Sequence, residues 1–211
     1  AIAGLTTNHV NALTTNQVSS LSTGQVASLT TNQLANGLTT AQVVALSSAQ
    51  LTAFTTGQFA ALSSNNIAAI ETADIGGLKT NVIAALKSNQ ITAFTTNQVG
   101  ALSTGQVAAL STASVQGLTT NQIVALSSNQ ASVLSSAQVG GLSTDSLAAI
   151  ETADFAALRT NAIAGLKTAQ VAALTTNQAV ALSTAQAAAL NSAQVGNLST
   201  AALAALETAD V

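Results

Sequence analysis

Leu118-Thr119-Thr120-Asn121-Gln122-Ile123-Val124-Ala125-Leu126 contains one complete eight-residue unit and the first residue of the next. The unit is the whole sequence in miniature. In the frame set by Leu5, Leu13, Leu21 and Leu29, one extra residue follows at Asn36-Gly37. From Leu38 to Leu206 the spacing is eight without exception. The consensus is Leu-[Ser/Thr]-[Ser/Thr]-[Asn/Ala/Gly]-Gln-[Val/Ile]-Ala-Ala. Self-similarity at a fixed period is the signature of repeat architecture.

The positions differ in strictness. Position 1 is Leu, or Phe54, Ile70, Phe94 and Ile150, and position 3 is Ser or Thr in all 26 octads. Position 6 is always apolar, with Ala131, Ala179 and Ala187 the smallest. Position 8 is mostly Ala or Gly. Position 2 is looser and admits Glu71, Lys79, Lys87, Glu151, Arg159, Lys167, Asn191 and Glu207. Positions 1 and 6 therefore read as core, position 8 as a place of close approach and position 2 as solvent-facing.

A longer order lies above the octad. Residues 38–117 align with 118–197 at a spacing of 80, which is ten octads. Ile70-Glu71-Thr72-Ala73-Asp74 recurs as Ile150-Glu151-Thr152-Ala153-Asp154, and Lys79 and Lys87 recur as Arg159 and Lys167. Duplication by whole octads accounts for this, so array length is adjustable. Residues 1–211 read as a single continuous array that opens and closes inside a repeat, which leads us to expect a segment of a longer one.

A continuous helix does not fit the period. Eight residues advance by about 800°, so the Leu row spirals around the axis and forms no buried stripe. Short helices broken once per octad fit better. With position 2 as N-cap, Gln falls at N3 in a capping box, and Leu at N′ meets Val at N4 as a hydrophobic staple. The Ser or Thr at position 3 offers an N-cap one residue later. The charged octads favour that choice, because Glu and Lys cap poorly. Pieces this short are unstable alone and must bury Leu and Val against neighbouring octads. The pattern thus predicts an all-α solenoid, a superhelical coil of one very short helix per octad. The rival is a β-solenoid with Gln or Asn in stacked ladders. It needs a turn between positions 1 and 6, whose parity is opposite in a strand, and it must tolerate two Ala in eight.

Composition narrows the function. The 211 residues are 48% hydrophobic, nearly all Ala, Leu, Val and Ile, with no Pro, Cys, Met, Trp or Tyr. A folded enzyme domain draws on most of the alphabet. Charged residues are 5%, four of them basic, against the clustered Lys and Arg that nucleic-acid binding requires. Absence of Cys excludes disulfides and thiolate metal sites, and no apolar run approaches a membrane span. No signal peptide is legible at Ala1.

Candidate chemical groups are few. His9 occupies the usual Gln position and has no second His to share a metal or a catalytic role. Glu71/Asp74, Glu151/Asp154 and Glu207/Asp210 are i,i+3 pairs that share a helix face. They read as first-turn acids complementing the helix dipole rather than as an acid/base or cation site. Lys79 and Arg159, one octad later, read as their charge partners. The Ser/Thr rows have no accompanying base. A flat, exposed Thr row would suggest ice binding. Asn197-Leu198-Ser199 is a lone glycosylation sequon. We expect no catalytic, cofactor or metal residues.

Two resemblances follow from these residues. Leu118 to Leu126 resembles the first-helix start of the TAL-effector repeat, which supports the helical reading over nine residues; the longer repeat, base-reading loop and basic surface of that family are missing, so DNA binding is not implied. The Leu-Ser/Thr-Thr-x-Gln-Val-Ala-Ala units resemble the low-complexity arrays of large bacterial secreted or surface proteins, often labelled adhesion or haem-utilisation proteins. That resemblance implies an extracellular or cell-surface spacer, stalk or filament module, prone to self-association, or else an adhesion module for a glycan or other surface. Haem finds no ligand set here, with one His and no Cys, Met or Tyr.

Overall fold

Every octad from Leu5 to Ala205 forms one short helix. A computed structural model describes residues 2–206, and among them 25 α-helices follow a single 3-10 turn at Ile2–Gly4. No strand occurs among the described residues, so the β-solenoid reading is set aside.

The octad Phe94–Ala101 illustrates how eight residues make and stop a helix. Thr95, at position 2, is extended (φ −72°, ψ 161°) and is the N-cap. Its Oγ1 accepts from the Gln98 backbone N–H at 3.2 Å, and its own N–H donates to Gln98 Oε1 at 2.8 Å. This reciprocal box satisfies two of the helix's orphan donors. The helix Thr96–Gly100 then ends at Ala101 (φ −85°, ψ −6°). Leu102 N–H donates to the Val99 carbonyl at 3.2 Å. The chain leaves through an extended Leu directly into the next N-cap. No described residue has a positive φ. The helices therefore stop without a left-handed glycine and without proline, which explains how an array lacking Pro can break 25 times.

The N-cap is position 2 throughout, which resolves the alternative that the sequence left open. This holds even at Glu71, Lys79, Arg159 and Lys167, which make no side-chain cap bond. The Ser or Thr at position 3 is instead the first helical residue. At several of these places the N3 amide turns to the N-cap carbonyl, as Val82 does to Lys79 at 3.0 Å and Ala162 to Arg159 at 2.9 Å. This tightens the first turn towards 3-10 geometry.

The chain divides into two compact units, residues 1–102 and 103–211. In each unit taken by itself, a helix packs against the helix three places further on. In the first, Thr7–Asn11 meets Thr31–Asn36 and Thr15–Ser19 meets Thr40–Val44. In the second, Thr112–Gln116 meets Ser136–Gly141, which meets Thr160–Ala164. Each unit is thus an all-α solenoid whose coil closes in between three and four octads.

The core is the two predicted rows. Position 1 is buried at Phe54, Phe94 and Leu134, and position 6 at Val26, Ile67, Phe155 and Ile163. Within the first unit these side chains close almost completely: a cavity of about 10 Å³ is left among Val10, Leu13, Leu38 and Phe54, too small to hold more than one water. Position 2 is exposed almost throughout. Position 8 behaves as a steric gap at two glycines: a Cβ on Gly165 would lie 2.6 Å from Ser136 Cβ, and one on Gly141 would lie 2.8 Å from Thr112 Cγ2. Gly57, in the helix Thr56–Ala60, faces open space.

The two glycines make a paired test. Gly165→Ala is expected to destabilise by about 1–3 kcal/mol through overpacking. Gly57→Ala is expected to be neutral or to stabilise by up to about 1 kcal/mol through helix propensity. Urea unfolding of the two variants checks both signs.

Candidate functional site

The position assigned to capping alone, position 5, is the most used polar group in the molecule. Its Gln is buried: Gln98 and Gln178 are each 1% exposed. The capping box occupies Oε1, and Nε2 is left to reach the preceding turn of the coil. Gln98 Nε2 donates to the Ile67 carbonyl at 3.0 Å and the Ile70 carbonyl at 2.7 Å. Gln178 Nε2 donates to Leu147 at 2.9 Å and Ile150 at 3.0 Å. The acceptors are always the end of one helix and the Leu-type residue that follows it. The helix-end carbonyl also accepts the N–H three residues on, as Ile67 does from Ile70 at 3.2 Å, whereas the Leu-type residue lies beyond the helix, whose last carbonyls lack intrahelical donors. One carboxamide thus starts its own helix and finishes another, 28 to 32 residues earlier.

The pattern survives the insertion. Gln42 meets Val10 at 2.8 Å and Leu13 at 2.7 Å, separations of 32 and 29, whereas Gln98 meets its partners at separations of 31 and 28. The extra residue at Asn36-Gly37 lengthens one turn by one residue and leaves the register of donors on acceptors intact. Gly37 is required there: a Cβ would lie 2.7 Å from the Gln33 carbonyl and 2.9 Å from that of Thr7.

A signal for this second role was present in the sequence. A capping box accepts Glu as readily as Gln, and Glu near a helix N-terminus gains from the dipole. Yet position 5 is never Glu in any octad. Only the carboxamide can donate as well as accept. A carboxylate cannot supply that donor, and where Asp occupies the position, at Asp74 and Asp154, the side chain accepts from a Ser hydroxyl instead.

The residues singled out by sequence fall into place around this row. His9 is exposed and completes a capping box, its Nδ1 accepting from the Thr6 N–H at 3.2 Å. Glu71 and Glu151 are exposed N-caps, whereas Asp74 and Asp154 sit at position 5 and are buried at 7% and 6% exposure. The i,i+3 spacing therefore separates each pair between solvent and interior. Each buried carboxylate accepts from a Ser hydroxyl one turn back: Asp74 from Ser48, and Asp154 from Ser128 at 2.6 Å. Glu207 and Asp210 lie outside the described residues. Lys79 and Arg159 are exposed N-caps, and no ion pair to Glu71 or Glu151 forms among the described residues. The expected pairing fails because an octad is about a quarter of a coil turn, so consecutive position-2 side chains point to different sides. Asn197 is exposed, and its amide donates to the Ala193 carbonyl at 2.7 Å.

One open groove, of about 400 Å³, lies in the second unit between Thr112, Gln116, Ser136, Gly141, Gly165 and Lys167. It offers hydroxyl, amide and one ammonium group, a surface for hydrogen bonding. No cluster of three His, Cys, Asp or Glu that could hold a metal occurs among the described residues. No helix among them is long and apolar enough to cross a membrane.

Gln98→Glu separates the two roles of the row. It keeps the box acceptor and removes the cross-turn donor, placing a carboxylate against two carbonyls. We expect a loss of about 1–3 kcal/mol. Gln17 is exposed and serves only its own capping box, accepting the Thr14 N–H at 2.8 Å, so Gln17→Glu in this chain is expected to change stability by less than about 0.5 kcal/mol. Thermal unfolding of both variants measures the contrast.

Comparison with known families is consistent with this octad. The family model described as the ALTTAQ repeat matches residues 2–31, 36–64, 67–104, 102–136 and 147–184. Its six letters run from the small residue at position 8, through Leu and the two hydroxyl residues, to the position-5 Gln, as Gly37-Leu38-Thr39-Thr40-Ala41-Gln42 does here with Gly for Ala. No curated protein matches the chain.

Proposed function

The chain belongs to the ALTTAQ repeat family, and from that premise we propose that it is a structural module: a spacer, stalk or self-assembling filament segment of a bacterial extracellular or surface protein. The observation that carries this reading is the carboxamide tie. Most octads bind the preceding turn with the same donors, acceptors and apolar rows, so octads can be added or removed without new chemistry. Solenoids built from such units gain stability and length by nearest-neighbour terms. The 80-residue duplication is what that tolerance permits. An extracellular or surface setting is part of the proposal and rests on the resemblance to large secreted arrays.

Self-association belongs to the same reading. The surface carries few charges to oppose it. The two faces of a coil turn are unlike, one presenting carboxamide donors and the other carbonyl acceptors, so contacts between copies would run head to tail.

A second reading, an adhesion module for a glycan or other surface, is favoured by one observation. The position-3 Ser or Thr, such as Thr96, is exposed in most octads, and position 4 adds an exposed polar side chain, such as Asn97, in about half of them. The ligand would be met by rows of hydroxyl and amide groups.

A length series tests the structural reading. Chains with ten octads deleted (residues 118–197) or with that block duplicated are expected to fold with unchanged helical signal per residue. Their largest dimension, from small-angle scattering, should change in proportion to octad number. Loss of folding on deletion of whole octads would sink the proposal. Saturable binding on a glycan array, with no change in behaviour across the length series, would favour the second reading.

A further inference from the structure

The carboxamide row is interrupted, and the interruption coincides with two other losses. In the first unit, position 5 is Asp74 in the octad Ile70–Gly77 and Val82 in the octad Leu78–Ala85. Neither side chain can supply the neutral amide donor found at Gln58, which reaches Val26, Ala27 and Leu29. By register, the carbonyls that positions 74 and 82 would serve are those of Leu46 and Phe54; neither receives a carboxamide. Asp74 turns instead to the Ser48 hydroxyl. The preceding octad is already reduced, because Asn66 is one methylene short and donates once, to Leu38 at 3.0 Å, without closing a box.

The same two octads lose their caps. Glu71 and Lys79 make no side-chain cap bond, and the helix Thr72–Ile75 is only four residues long. About half a coil turn therefore combines missing ties to the preceding turn with missing caps, and packs there through Ile70, Ile75, Leu78 and Ile83.

Charge is concentrated at the same place. Among the described residues, all charged side chains lie in 71–87 and 145–167. Elsewhere the surface is mostly Ser, Thr, Asn, Ala and Gly, with a few exposed apolar side chains such as Val44 and Val180. Charges flanking an apolar segment that becomes exposed keep it hydrated and unpaired. Placing them at this turn protects it when it opens.

We infer that residues 70–85 are a compliant joint, the turn at which the coil of the first unit opens before the turns on either side. The counterpart at 150–165 shares the losses: Glu151 and Arg159 do not cap, and position 5 is Asp154 and Ala162. It is braced differently. Gly140 and Gly165 bring backbones together so closely that a Cβ on Gly140 would lie 2.9 Å from the Gly165 carbonyl. At the corresponding places, 80 residues earlier, the first unit has Ala60 and Ala85. The joint at 70–85 is accordingly the softer of the two. The array reads as stiff coil interrupted at set intervals by turns that yield. It is a property of the coil itself, independent of whether the module spaces, assembles or adheres.

Hydrogen exchange read by mass spectrometry on the full 211-residue chain tests it. Peptides covering 70–85 are expected to exchange roughly ten- to thirtyfold faster than those covering 38–61, the ratio set by losing a cap and a buried hydrogen bond. The combined variant Glu71→Thr, Asp74→Gln, Lys79→Thr, Val82→Gln is expected to bring 70–85 to the protection of its neighbours. Equal protection of the two segments in the unaltered chain would overturn the inference, as would a folded variant whose 70–85 segment stays fast. If that variant does not fold, the comparison within the unaltered chain still decides.

Discussion

The fold depends on the hydrogen bonds of one side chain, the carboxamide of the position-5 Gln. A helix of four to six residues cannot stand alone, because it satisfies almost none of its own backbone groups. The carboxamide answers both ends of that problem. Its oxygen and backbone N–H close the start of its own helix against the position-2 hydroxyl residue. Its nitrogen closes the end of a helix one coil turn earlier. Each tie is worth only about 0.5–1.5 kcal/mol net, but it sits among buried Leu, Val and Ile, where a missing partner would cost more than a present one contributes. The apolar rows supply the driving force, and the carboxamide sets how one turn sits on the next.

This division of labour explains the rest of the octad. Position 2 must be extended and must accept a hydrogen bond, so it is Ser, Thr or Asn wherever the cap is made. Positions 1 and 6 must be apolar. Position 8 ends the helix in right-handed geometry, so Ala serves and Gly is needed only where backbones meet, as at Gly165. Because the tie joins residues 28 to 32 apart, the coil turn is not a whole number of octads, and identical octads present their polar faces to all sides.

Much of this was legible in the sequence. The octad, the insertion at Asn36-Gly37, the short helices, and the core at positions 1 and 6 all follow from period and local chemistry. What was not legible had a common cause: it depends on contacts 28 or more residues away. The N-cap was ambiguous because both position 2 and position 3 carry hydroxyls, and only the packing of Leu and the reach of Gln select position 2. Gln looked like a capping residue and nothing more, since its second partner lies a full coil turn distant. Asp74 looked like an exposed first-turn acid because nothing local says that position 5 faces inward. The expected pairing of Glu71 with Lys79 failed for the same reason, the coil phase being invisible in a single octad.

The central claim is that the position-5 carboxamide nitrogen hydrogen-bonds across coil turns. The most direct measurement is solvent exchange of Gln side-chain amide protons, resolved by NMR with assigned resonances. Gln98 and Gln178, buried and bonded to two carbonyls or more, should exchange far more slowly than Gln17 and Gln25, which are exposed. Exchange of all four at the rate of a free carboxamide would contradict the account.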